Sequence, residues 1–167
     1  MDREAGFTII ELIIVIIIIG ILVTIAGYAQ YGALSGARDS ERADDTASIA
    51  RLLENSYMNQ TNGSPSYPPI TVLLSNIANG SGSAVSTDID IFKAPNATSS
   101  SVVGATTVNS QAPSGANTPA LNQYTYQPIT SANTLCQDAA QICIKYRIFY
   151  RKETDSSIVV LDSAHQQ

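Results

Sequence analysis

From Leu12 to Val23 every residue is aliphatic except Gly20, and a single carboxylate, Glu11, stands just ahead of the run. Phe7 to Ala29 holds fifteen Ile, Leu, Val or Phe residues. These are worth about −5 to −9 kcal/mol on the biological insertion scale, against about +3 kcal/mol for a charge at the centre of a span and less near its end. Insertion therefore wins despite Glu11. As a helix the stretch covers about 34 Å, enough for a hydrocarbon core of about 30 Å. An acid in such a setting is costly, so it marks a functional site and asks for a partner, and nothing in this helix supplies one.

Three plainer readings compete. A cleaved secretory signal would use Ala33-Leu34-Ser35 or Ser35-Gly36-Ala37 as a small-x-small site. Against it, Asp2-Arg3-Glu4 is not a positive n-region, and the apolar run exceeds the usual length of roughly 7–15 residues. An ordinary single-pass anchor would let Glu11 snorkel to the interface. A buried helix of a soluble domain is disfavoured by so long an unbroken apolar run.

Gly6, then Phe7 and Thr8, a Glu four residues after Phe7, and an Ile/Val-rich run containing Gly20 together resemble the N-terminus of a type IV pilin precursor. The likeness is close over residues 1–31 and is one of layout beyond. It implies an α+β pilin fold, in which a long N-terminal helix packs on a small C-terminal antiparallel sheet. It implies cleavage between Gly6 and Phe7 by a membrane aspartyl peptidase that also methylates the new Phe7 amine. The subunit would wait in the cytoplasmic membrane with its N-terminus inside. An assembly platform and ATPase would then push it into a helical homopolymer, an extracellular pilus, in which the Phe7 amine of an incoming subunit meets the Glu11 carboxylate of one already in place. The implied division is a leader at 1–6, a membrane and filament-core helix at 7–29, an amphipathic stem at 30–60 and a head at 61–167. The head would hold a variable loop at 61–122 and a sheet at 123–167.

Two features depart from the family. Its leader commonly carries Lys or Arg, whereas Asp2 and Glu4 here oppose Arg3. With Arg38 and Arg42 on the other flank, counting basic residues does not orient the span, and the inward N-terminus rests on the resemblance. Tyr28 stands where many members have proline.

After the span, Tyr28 to Asn59 contains no proline and places Ile49, Leu52, Leu53 and Tyr57 on one helical face, with charges elsewhere. Gly63 and Pro65 stop the helix. Thr61 to Gln137 turns to Ser, Thr, Asn, Gly, Ala and Pro. A structureless loop that long is improbable in a compact domain, so a helix is expected at Ile70 to Ile77 and short strands near Ile89 to Phe92 and Val102 to Val108, with the remainder on the surface. Tyr124-Thr125-Tyr126 begins the sheet. In Ile142 to Lys152, Ile144, Tyr146, Ile148 and Tyr150 alternate with Lys145, Arg147, Phe149 and Arg151, the pattern of a half-buried strand. A turn at Lys152 to Ser156 leads into Ser157 to Asp162, giving an antiparallel hairpin laid on the Ile49/Leu52/Leu53 face.

Cys136 and Cys143 are the two cysteines, separated by six residues. In a domain that leaves the cytoplasm an even count favours a disulfide, and the spacing is neither Cys-x-x-Cys nor a zinc pattern. No catalytic constellation emerges and no cofactor is expected. His165, three positions from the end, reads as a tail residue, and Asp88 and Asp90 lack the further oxygen ligands and glycine of a calcium loop. The net charge of −5 argues against bulk nucleic-acid affinity. Lys145, Arg147, Arg151 and Lys152 nevertheless form a dense cationic cluster for which DNA is a partner to weigh against simple solvation.

These residues point to a non-enzymatic pilus subunit serving adhesion, twitching motility or DNA uptake. The alternatives are a pseudopilin of a secretion or competence system and a membrane-anchored binding protein that does not polymerise.

Overall fold

A computed structural model describes residues 8–57, 64–80, 90–109, 111 and 118–165. Its first helix, α1, runs Ile9–Tyr57. The chain forms two compact units, Met1–Ala37 and Arg38–Gln167.

In the first unit α1 is apolar on every side. Its large aliphatic residues from Ile9 to Ile25 are 45–78 % exposed, so no described part of the chain covers them. Isoleucine favours strands, yet a membrane-length run can satisfy its own backbone only as a helix, because hydrocarbon offers no hydrogen-bond partners.

In the second unit α1 becomes amphipathic. Arg42, Thr46, Ile49, Leu53 and Ser56 recur at helical spacing and are buried. Helix α2, Ile70–Asn79, buries Ile70, Leu73 and Ile77 and ends at Gly80, whose φ of 60° is the left-handed closure glycine permits. Pro69 stands at its N-cap and offers no side-chain acceptor. The orphan N–H groups find acceptors in a distant loop: Ile70 N–H donates to Cys136 O at 3.1 Å and Thr71 N–H to Gln137 O at 3.2 Å. That loop is closed by the Cys136–Cys143 disulfide, both cysteines being wholly buried.

The sheet has strands β1 (Val102–Gly104), β2 (Tyr124–Thr130), β3 (Cys143–Arg151) and β4 (Ile158–Asp162) in the order β1-β2-β3-β4. The hairpin pairs Arg147 with Asp162 and Arg151 with Ile158, and β2 is antiparallel to β3. Tyr146, Ile148 and Tyr150 share one core cluster with Ile49 and Leu53 of α1. The α+β arrangement expected from the sequence is therefore present.

Three expectations need correction. The sheet is mixed, because β1 runs parallel to β2 with Val102 opposite Tyr124; parallel pairing needs a long crossover, which residues 105–123 provide. Beyond Gly104 the ladder ends, since Ala105 N–H donates to Tyr126 O and the chain turns away. Asp90–Phe92 is a 3₁₀ turn instead of a strand, closed by Lys93 N–H on Asp90 O at 2.9 Å and by a Lys93–Asp90 ion pair at 2.7 Å. So brief an alternation of apolar residues cannot discriminate the two. Finally, Phe149 is buried, although it lies on the side of β3 read as solvated. It pairs with buried Thr125, and next to them Gln127 Nε2 donates to Thr107 O, so polar and apolar residues on this side of the sheet are also covered.

The core is rich in tyrosine. Tyr67, Tyr124, Tyr126 and Tyr146 are at most 1 % exposed. Buried hydroxyls need partners, and each has one. Tyr124 donates to Asp45, Tyr126 to Pro68 O, Tyr67 to Glu54 at 2.8 Å, and Tyr146 to Glu54 at 3.1 Å. His165, read as a loose tail, instead stacks on Tyr57 at 4.3 Å, with Nδ1 3.1 Å from Glu54 Oε2 and from Tyr67 Oη. Ala164 N–H also donates to Glu54, which clamps the C-terminal segment to α1.

A second knot holds the β3–β4 turn. Asp39 accepts from Glu153 N–H (2.7 Å), Thr154 N–H (3.0 Å) and the Thr154 hydroxyl (2.7 Å), and pairs with Arg42 at 2.8 Å. Arg42, almost fully buried, also donates to Leu121 O, and Arg38 pairs with Glu153.

Two expected outcomes follow from this packing. Reducing the disulfide releases an eight-residue loop and should cost roughly 2–3 kcal/mol in the chain-entropy picture. Hydrogen exchange should then accelerate first at the Ile70 and Thr71 amides, and thermal melting with and without dithiothreitol checks the loss.

The second outcome concerns acid. Burial alone would push the Asp39 and Glu54 carboxyls up, but it is outweighed. The Glu153 and Thr154 donors and Arg42 hold Asp39 below its ordinary value, while Ala164 N–H, Tyr67, His165 and Tyr146 do the same for Glu54. For depressed carboxylates the stabilisation is complete above the unfolded values of about 3.9 and 4.3, and is lost as pH falls through the lower folded ones. The unit should hold at pH 5 and lose stability below about pH 4. Asp39→Asn should lower stability at pH 7 and flatten this acid limb in denaturant titrations.

Candidate functional site

The N-terminal motif carries the one acid in the apolar part of α1. Thr8 precedes the helix and Glu11 is its third residue, so Thr8-Ile9-Ile10-Glu11 forms a capping box. Glu11 N–H donates to Thr8 Oγ1 at 3.3 Å, while Thr8 N–H and the Thr8 hydroxyl both donate to Glu11 Oε2 at 3.0 Å. Glu11 is therefore not without a partner inside its own helix, contrary to the sequence reading. Thr-x-x-Glu ahead of an apolar run was the visible signal.

These bonds satisfy two donors that a helix start leaves open, and they set a negative charge at the positive end of the helix dipole. They do not neutralise the carboxylate. Among the described residues no cation approaches Glu11, and Oε1 accepts no hydrogen bond. The arrangement thus fixes Oε2 to Thr8 and leaves Oε1 without a partner among the described residues. Gly6 and Phe7 lie outside the described residues.

The remaining residues singled out from sequence separate into structural roles. Cys136 and Cys143 form the loop that caps α2. The cationic cluster is dispersed: Arg147 pairs with Asp162 at 3.2 Å, and the buried Nε of Arg151 has no hydrogen-bond partner among the described residues. Lys145 and Arg147 line a recess of about 110 Å³, too small for a nucleotide base and its phosphate together. Asp90 pairs with Lys93, and Asp88 lies outside the described residues. No group of three or more His, Cys, Asp or Glu among the described residues is placed to hold a metal ion. The clamps at Glu54 and Asp39 escaped the sequence reading, because each joins residues more than a hundred positions apart.

By length and composition α1 is able to cross a membrane. No curated protein and no solved structure matches the chain. Residues 1–27 match the family model of the prokaryotic N-terminal methylation motif, so this chain carries the class III signal peptide of type IV pilin precursors.

Proposed function

We propose that the chain is the structural subunit of a type IV pilus, held in the cytoplasmic membrane by α1 and then polymerised through it into an extracellular filament. The methylation motif indicates a type IV pilin or pseudopilin. The observation that carries the finer reading is the first unit itself: apolar all round, uncovered by the described residues, and bearing one acid with an oxygen that has no partner among them. Lipid can cover the aliphatic residues but cannot neutralise Glu11, whereas a sibling helix bringing a positive Phe7 amine does both. Pairing two charges in an apolar core succeeds only with good geometry, and breaking such a pair costs about 3–5 kcal/mol. The contact therefore selects one register between neighbours. The loop-rich sequence of the head favours a pilin over a pseudopilin of a secretion or competence machine. Motility, adhesion or DNA uptake would follow from what the filament meets.

Processing should leave Phe7 as the first residue, with a methylated amine, and replacing Gly6 by a bulky side chain should block the cut. N-terminal sequencing or mass spectrometry of sheared surface protein reads this directly. A mature start at Met1, or near Gly36 or Arg38, contradicts it.

Substitutions at Glu11 separate capping from charge. Glu11→Ala removes both, and should leave membrane insertion and processing intact while sharply reducing filaments. Glu11→Gln keeps an oxygen for the Thr8 donors but loses the charge, so it should be milder yet still defective. Thr8→Ala loses a cap worth about 0.5–2 kcal/mol and keeps the charge, so it should assemble better than Glu11→Ala. Filaments of normal amount and length from Glu11→Ala would remove Glu11 as the docking residue.

A further inference from the structure

Tyr67, Tyr124, Tyr126 and Tyr146 are almost wholly buried, and their hydroxyls end on chemically different acceptors. Tyr126 donates to a backbone carbonyl, Pro68 O, which is far too weak a base to take its proton. Tyr124 donates to the Asp45 carboxylate, but its ring stacks on no other aromatic ring among the described residues. Tyr146 shares its hydroxyl between Ala50 O at 3.3 Å and Glu54 Oε1 at 3.1 Å. Tyr67 differs from all three. Its hydroxyl donates to Glu54 Oε2 at 2.8 Å and lies 3.1 Å from His165 Nδ1, so a phenol, a carboxylate and an imidazole meet at one point.

The rings around Tyr67 reach the surface. Its centroid is 4.6 Å from that of Tyr57, which stacks at 4.3 Å on His165, and 4.7 Å from that of Tyr146, which it meets edge-on. Tyr57 is half-buried and His165 exposed, whereas Tyr67 has no solvent contact. Burial and Glu54 push the Tyr67 hydroxyl up, so the resting group is a phenol. Removing one electron reverses that order, because a phenol radical cation is a strong acid and a base already bonded to it takes the proton. Moving proton and electron together also avoids leaving a new positive charge in the interior, where it is costly.

We infer that Tyr67 is a one-electron redox site, with Glu54 as its proton acceptor and Tyr57 as the route for the electron. A one-electron oxidant of the peroxyl-radical class takes an electron from Tyr67 by way of Tyr57. The Tyr67 O–H bond breaks and its proton passes to Glu54 Oε2. The products are a neutral Tyr67 phenoxyl, a Glu54 carboxylic acid and a hydroperoxide, whose own proton comes from water. The new carboxylic acid donates back to the phenoxyl oxygen, and His165, protonated at Nδ1, supplies a second hydrogen bond. An enediolate such as ascorbate returns the electron, and Glu54 returns the proton. Burial keeps this radical from coupling with a second phenoxyl, the fate of exposed tyrosyl radicals, so the unit takes up an oxidising equivalent without crosslinking.

The test uses the full chain in detergent micelles, oxidised by photogenerated tris(bipyridyl)ruthenium(III) and frozen for electron paramagnetic resonance. One phenoxyl spectrum of fixed ring geometry should dominate. Tyr67→Phe, which removes only a hydroxyl, should lower its yield at least about tenfold and divert oxidation into dityrosine. Glu54→Gln removes the base and should slow radical formation at least about tenfold. His165→Phe keeps a ring on Tyr57 but loses Nδ1, and should shorten the radical's lifetime about fivefold, the scale of one lost hydrogen bond. Should Glu54→Gln fail to fold, the Tyr67 and His165 variants carry the test. A spectrum unchanged by Tyr67→Phe would overturn the assignment, as would an original chain that yields only dityrosine.

Discussion

The buried stripe of α1 through Arg42, Thr46, Ile49 and Leu53 is the surface on which the rest of the second unit is laid. The core cluster against it sets Tyr67, Tyr124, Tyr126, Tyr146 and Tyr150 beside Ile70, Leu73, Ile77 and Ile148, so tyrosine fills much of its volume. A buried phenol brings apolar area together with a hydroxyl that must be satisfied. Those hydroxyls return largely to the stem, to Asp45 from Tyr124 and to Glu54 from Tyr67 and Tyr146. Carboxylates that look like solvated helix charges are thereby structural acceptors, and the tyrosine core docks on α1 in a defined orientation. Burial and Glu54 together push the Tyr67 and Tyr146 hydroxyls far up, which keeps them protonated as the donors this arrangement needs.

The acids of α1 consequently divide into three kinds. Asp39, Asp45 and Glu54 turn inward and bind donors of the same unit. Glu41 and Asp44 are exposed. Glu11 stands apart in an apolar stretch, with one oxygen engaged in capping and the other without a partner among the described residues. A charge in an apolar stretch is costly to leave unpaired, whereas exposed helix charges are solvated at little cost.

The disulfide has a role that its spacing did not disclose. Pro68 and Pro69 deliver the chain into α2 without a capping side chain, and the carbonyls of Cys136 and Gln137 complete the helix start from across the fold. Tyr67 N–H adds a bond to Cys143 O at 2.8 Å. The crosslink therefore holds a loop whose backbone α2 requires, coupling the oxidation state of two cysteines to a helix sixty residues earlier.

The features legible in the residues were those written in local patterns. They include the membrane-length run, the Gly6-Phe7 motif with Glu11, the amphipathic stem, a helix after Pro68-Pro69 and the alternation of β3 with its hairpin partner. Each depends on spacings of two to four residues, which the backbone periods convert directly into a face. Tertiary structure alone decided the parallel pairing of β1, the burial of Phe149, the 3₁₀ turn at Asp90–Phe92, the stacking of His165 on Tyr57 and the inward turn of Asp39 and Glu54. Most of these outcomes set one residue against another twenty to a hundred positions away. Hydrophobic period carries no information at that separation, and the choice falls to which arrangement satisfies every buried donor and acceptor together.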